Sequence, residues 1–146
     1  MKLTIELVPQ TAFYNNIRSE LPKQDWDFLR RAFYKKAEYK CEICGGVGEQ
    51  HPVECHEIWE YNDKKHIQKL VGLIALCPLC HQCKHWGLSQ IRGLEEECIK
   101  HLCKINRITK AKAYDLVEQA FGVWRGRSEH DWKSDIKYID KVLQKR

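Results

Sequence analysis

Two short cysteine motifs constrain this chain more than any other feature: "CEIC" at residues 41–44 and "CPLC" at residues 77–80. A CxxC pair puts two thiolates on one tight turn, where both reach a single ion at about 2.3 Å. Two such turns complete a tetrahedral four-sulfur site. Cys41, Cys44, Cys77 and Cys80 are therefore expected to hold a structural Zn²⁺ and to bring the ends of segment 45–76 together. The eight cysteines also admit an oxidised scaffold. Against it, "MKLTIELVPQ" lacks the apolar stretch of a secretory signal, and no run approaches the ~20 apolar residues of a bilayer span. The expected location is cytoplasmic, with no membrane partner, where thiols stay reduced. Cys80 and Cys83 form a competing CxxC, but "CPLC" has the proline-bearing turn of a zinc knuckle.

Around these motifs the hydrophobic pattern places the secondary structure. "KLTIELV" alternates and is β-branched, which predicts a strand over 2–8 ended by Pro9. Residues 10–22 read as irregular, closed by Pro22. Phe28, Leu29, Ala32, Phe33 and Ala37 fall at helical spacing, predicting a helix over 25–40 that is capped by Asp25 and runs into Cys41. "GGVGEQHP" is a loop. "VECHEIWEY" and "HIQKLVGLIAL" flank the turn residues "YNDKK" and predict a β-hairpin. A short helix is expected from near Cys80 to Gly87, another over 94–105, and a third capped by Thr109. "WRGRSEHD" breaks the pattern before a last helix over 132–144. Cys98 and Cys103 fit these helices as small buried apolar residues, and Cys83 as packing. At 146 residues the chain fits one domain over 1–146, with extensions 1–40 and 94–146 packed on a core at 41–86.

Charge is less informative. The net value of +5 is compatible with nucleic acid without requiring it. In "RRAFYKK", Arg30, Arg31, Lys35 and Lys36 read either as a solvated helix face or, so near a metal site, as a phosphate-facing surface. Trp59, Tyr61 and Trp86 read as core around the hairpin, with base stacking the alternative.

With four cysteines assigned to zinc, "LCPLCHQCKH" still holds two histidines. His81 and His85 stand four apart, one helical face, and make a half-site for a transition metal. The hairpin strand carries "ECHE", residues 54–57. If the helix packs on the hairpin, His56 approaches the His81/His85 face. His51, His66, His101 and His130 receive no role.

The stretch 41–85 resembles the HNH (ββα-metal) endonuclease family in its form braced by two CxxC pairs. The resemblance rests on "CH" at 55–56, "GLIALCPLCH" ending at His81, and "KH" at 84–85, and covers about a third of the chain. It implies an α+β fold, a zinc-stabilised ββα-metal, treble-clef-like core with flanking α-helices. It implies a metal-dependent hydrolase of DNA phosphodiester bonds, acting on double-stranded DNA, of phage or bacterial type. His56 corresponds to the general base. His81 and His85 correspond to ligands of a second divalent ion (Mg²⁺, Mn²⁺, Ni²⁺ or Zn²⁺). Cys55 stands where the family carries an Asp or His ligand, with Glu54 or Glu57 as substitutes; Gly72 stands where it carries Asn. The alternative reading is a non-catalytic zinc module binding DNA or a protein partner, including one inside a phage or defence assembly.

Overall fold

A computed structural model describes residues 2–12 and 17–145. Among them the chain is α+β: a 3₁₀ turn, seven α-helices and one three-stranded sheet. Helices α1 (Ile17–Glu20) and α2 (Lys23–Lys36) precede the first cysteine pair. Strands β1 (Glu54–Asn62) and β2 (Ile67–Leu76) follow as an antiparallel hairpin, paired from Glu54↔Leu76 to Asn62↔Ile67. Helices α3 (Pro78–Lys84), α4 (Trp86–Ile91), α5 (Glu95–Asn106) and α6 (Lys110–Arg127) come next. Strand β3 (Lys133–Asp135) adds parallel to β2, and α7 (Lys137–Leu143) closes the chain.

The hairpin divides the core in two. On one face Leu70 and Leu73 meet Leu29 and Phe33 of α2 and Ile139 of α7, with Cys55 and Trp59 packed alongside. On the other, Leu76 leads into a cluster of Cys83, Trp86, Cys98, Ile99, Leu102, Ala113 and Val117. Alternation along β1 produces this split, since neighbouring side chains leave opposite faces. Burying one such aliphatic side chain is worth roughly 1.5–3 kcal/mol, so both faces have reason to stay covered.

Several elements differ from the sequence expectation. Residues 2–8 belong to no strand. Asn106 at the end of α5 binds both backbone groups of Leu3, accepting its N–H at 2.9 Å and donating to its carbonyl at 2.7 Å. Trp124 Nε1 donates to Val8 O. Side-chain donors and acceptors here take the place of a neighbouring strand. Within 10–22 the described residues form the 3₁₀ turn Gln10–Ala12 and the single turn α1, and residues 13–16 lie outside the described residues.

Helix α2 begins at Pro22, whose carbonyl takes the first N–H groups, so Asp25 sits in the first turn rather than at the cap. It ends at Lys36, and Glu38 and Tyr39 adopt positive φ before Cys41. The helix expected to stop at Gly87 is two helices joined at His85, because Trp86 turns wholly inward and Ser89 Oγ donates back to Gln82 O at 2.7 Å. Thr109 caps α6 by accepting the Lys112 N–H, but the helix continues through "WRGR" to Arg127. The terminal helix is shorter than 132–144, since Trp132 is held by donation from its Nε1 to Arg127 O and residues 133–135 pair with β2. No described helix is long and apolar enough to cross a membrane.

Candidate functional site

The first knuckle follows α2. Cys41 and Cys44 lie on a turn closed by the Gly45 N–H to Cys41 O and the Cys41 N–H to Gly46 O. Gly45 has φ +75°, a region that favours glycine. Gly48 is needed for a different reason: a Cβ there would stand 2.3 Å from His51 O and 2.7 Å from Pro78 Cδ. The loop thus passes directly over the start of α3. The second knuckle is the N-terminus of α3, where Cys77 caps the helix by accepting the Cys80 N–H on its sulfur, with Pro78 in the first turn.

The hairpin joins the two turns. The Glu42 N–H binds Ala75 O and Glu42 Oε2 accepts the Ala75 N–H, so the first knuckle is stitched to the end of β2 just before Cys77. All four sulfurs lie within 4.8 Å of one another, and Cys44 Sγ is 3.6 Å from Cys77 Sγ. Sulfurs at about 2.3 Å from a tetrahedral zinc ion are separated by about 3.8 Å. The four cysteines therefore fit a structural ion such as zinc. A hydrogen bond with Cys80 draws Cys41 down to about 4 and pushes Cys80 up. Cys83 is buried and points elsewhere, its Sγ toward Cys98 O at 3.6 Å, which removes the competing CxxC. Cys98 is fully buried and Cys103 half-buried, both in the helical layer.

The second cluster lies on the next turn of the same helix. His81 on α3 and His85 at its C-terminal cap lie against β1, where His56 is 5% exposed. Ring centroids are 5.1 Å apart for His56–His81, 5.2 Å for His56–His85 and 4.7 Å for His81–His85. One ring nitrogen from each falls within 4.8 Å of the others, and His81 Nε2 is 3.0 Å from His85 Nε2. Neither ring nitrogen of His56 has a hydrogen-bond partner, although both are buried. Burial, with His81 and His85 adjacent, lowers His56 to about 2, and burial lowers His85 to about 4. His56 and His85 are thus neutral at ordinary pH, the form that offers a lone pair.

Glu54 orients this group. Its Oε1 accepts from His81 Nδ1 at 2.9 Å, and its Oε2 accepts from His51 Nε2 at 2.7 Å. Hydrogen bonding from His81 holds its carboxyl at about 2, ionised. With Nδ1–H committed to Glu54, His81 turns Nε2 toward His85, the arrangement in which carboxylates orient metal-binding histidines.

The register corrects the expectation for Cys55. It leaves the strand on the α2 side, apart from the histidines, and burial pushes its thiol up to about 12. It is not positioned to share an ion with His81 and His85. Glu57 also faces away, accepting the Ile17 N–H at 2.9 Å. Gly72 pairs with Ile58, and a Cβ there would make ordinary contact with that side chain. The basic residues of α2 flank the face of the hairpin opposite the histidines. Arg30 is paired with Asp27 at 2.9 Å, while Arg31, Lys35 and Lys36 are exposed. Trp86 is fully buried and Trp59 packs on the α2 face. Tyr61 lies under the Arg127 guanidinium at 4.3 Å, so its ring too is engaged within the fold. Two cavities of about 320 and 360 Å³ flank α6, and no residue of either cluster lines them.

Two residues without a sequence expectation belong here. His51 supports Glu54, and His101 Nε2 lies 3.0 Å from Cys80 Sγ. His51 has a weak signal, three residues before Glu54 in a glycine- and proline-rich loop; His101 has none, because helix α4 and a short turn separate its helix from the cysteines.

Fold and sites together define an α+β chain with a four-cysteine centre suited to a structural ion such as zinc. Comparison with models of known protein families finds no match, and no curated protein or solved structure matches the chain.

Proposed function

We propose that the chain is a metal-dependent endonuclease of the HNH (ββα-metal) type that hydrolyses phosphodiester bonds of double-stranded DNA. One observation carries the reading: three imidazoles from a hairpin strand and the following helix converge within 4.8 Å, and the strand histidine is buried with both nitrogens unpartnered. A buried polar group without a partner costs about 1–3 kcal/mol, and such groups persist where function requires them.

His56 is the general base. Neither of its ring nitrogens is engaged by the protein, which leaves a lone pair to accept a proton from the attacking water. His81 and His85 hold a divalent ion, and Glu54 fixes the ring of His81 from behind. When bound, that ion supplies Lewis-acid stabilisation of charge on the scissile phosphate and the departing 3′ oxygen. Imidazole donors suit Zn²⁺ or Ni²⁺ better than Mg²⁺ or Mn²⁺, since imidazole sites favour softer ions than oxygen sites do. The four-cysteine centre acts as a brace, holding α3 against the hairpin.

A second reading, a zinc module that binds DNA or a protein partner without cutting, is favoured by Gly72, which carries no side chain where the family carries Asn. Conversion of supercoiled plasmid to nicked or linear form separates the two. Wild type and His56→Ala are compared with Mg²⁺, Mn²⁺, Ni²⁺ and Zn²⁺. Cleavage that disappears with His56→Ala supports the endonuclease. Cleavage equal in both overturns the role of His56, and salt-sensitive DNA binding without cleavage supports the second reading.

A further inference from the structure

Four thiolates around one divalent ion leave two uncompensated negative charges in a largely buried place, and N–H groups aimed at sulfur offset them. Three of the sulfurs receive such a donor from the backbone. The Cys44 N–H reaches Cys41 Sγ at 3.5 Å, the Gly46 N–H reaches Cys44 Sγ at 3.3 Å, and the Cys80 N–H reaches Cys77 Sγ at 3.4 Å.

Cys80 cannot be served this way. It lies inside α3, and the amides that follow are committed to helical bonding, beginning with the His81 N–H to Cys77 O at 3.0 Å. Its donor comes from another helix: His101, on α5, places Nε2 at 3.0 Å from Cys80 Sγ.

We infer that His101 is a positioning residue of the four-cysteine metal centre, its Nε2–H supplying the fourth sulfur with the donor that the backbone cannot. The same bond fastens α5 to the centre, so metal retention depends on a residue far outside both cysteine motifs. The inference is independent of the nuclease reading and stands or falls with the metal centre.

Full-length zinc-loaded protein is compared with His101→Ala, His101→Gln and Leu102→Ala. Leu102 is a packing control, fully buried on the same helix and without a polar group. Zinc affinity is measured by chelator competition, and the sulfur-to-metal charge-transfer band is recorded after cobalt substitution. His101→Ala is expected to bind zinc about 10–100-fold more weakly, as for other groups that support metal ligands, and to shift the cobalt band to lower energy. His101→Gln, retaining an N–H, is expected to recover part of both. Leu102→Ala is expected to lower the melting temperature and leave the band in place. Should His101→Ala not fold, His101→Phe keeps a ring without the donor. Unchanged affinity and band in the donor-less variants, equal shifts in Leu102→Ala, or less than one metal ion per wild-type chain overturns the inference.

Discussion

Replacing His56 by leucine is expected to make the protein more stable and, on the proposed endonuclease reading, to abolish cleavage. His56 is 5% exposed and its two ring nitrogens have no partner, so the folded state carries a desolvation penalty that an apolar side chain of similar volume does not. Removing it is worth about 1–3 kcal/mol at pH 7.5. The pH dependence adds a second signature. His56 titrates near 2 in the folded protein and near 6.5 when unfolded, so below about pH 6.5 the unfolded chain binds a proton that the folded chain refuses. Stability from this group is complete above that pH and lost as pH falls, by about 1.4 kcal/mol per unit. His56→Leu lacks this loss, so its advantage should widen by about 1.4 kcal/mol between pH 7.5 and 5.5. Urea unfolding at both pH values, with the zinc content of each protein checked, measures the difference. A His56→Leu protein destabilised by more than about 1 kcal/mol, with wild-type pH dependence, would show that the ring has a structural purpose and would remove the reason for calling it a base.

Other perturbations give distinct readouts. Stripping the four-cysteine centre with a strong chelator, or Cys77→Ser, should abolish cooperative folding in circular dichroism, since structural zinc contributes roughly 10–16 kcal/mol of apparent binding free energy in small modules. On the proposed reading, Glu54→Gln should weaken divalent-ion binding at His81 and His85 by about 10–100-fold in titration calorimetry while leaving zinc at the cysteines unchanged. Asn106→Ala breaks both bonds to Leu3 and should cost about 1–3 kcal/mol and speed proteolysis within residues 2–9. Gly48→Ala should accelerate zinc loss, because the added methyl meets the His51 carbonyl and Pro78.

Local chemistry made the centre of this fold legible. The spacing of Cys41, Cys44, Cys77 and Cys80 requires the ends of the hairpin to meet, and the four-residue step from His81 to His85 requires one helical face. What escaped depended on distant partners. Residues 2–8 carry a strand pattern, but the helices hold them through the side chains of Asn106 and Trp124, which no local pattern encodes. Strand β3 is "KSD", three polar residues with no strand pattern, paired with β2 just after the anchored Trp132. Cys55 and Glu54 could be told apart only by strand register: alternation states that they face opposite ways, and the Glu54↔Leu76 pairing decides which way each faces.

Cys80 and His81 are consecutive, yet one belongs to the sulfur centre and the other to the histidine cluster. A rotation of this short helix that relaxed one group would drag the other out of alignment. The two groups are consequently geared together, and whatever loosened the sulfurs would also throw the imidazoles out of register.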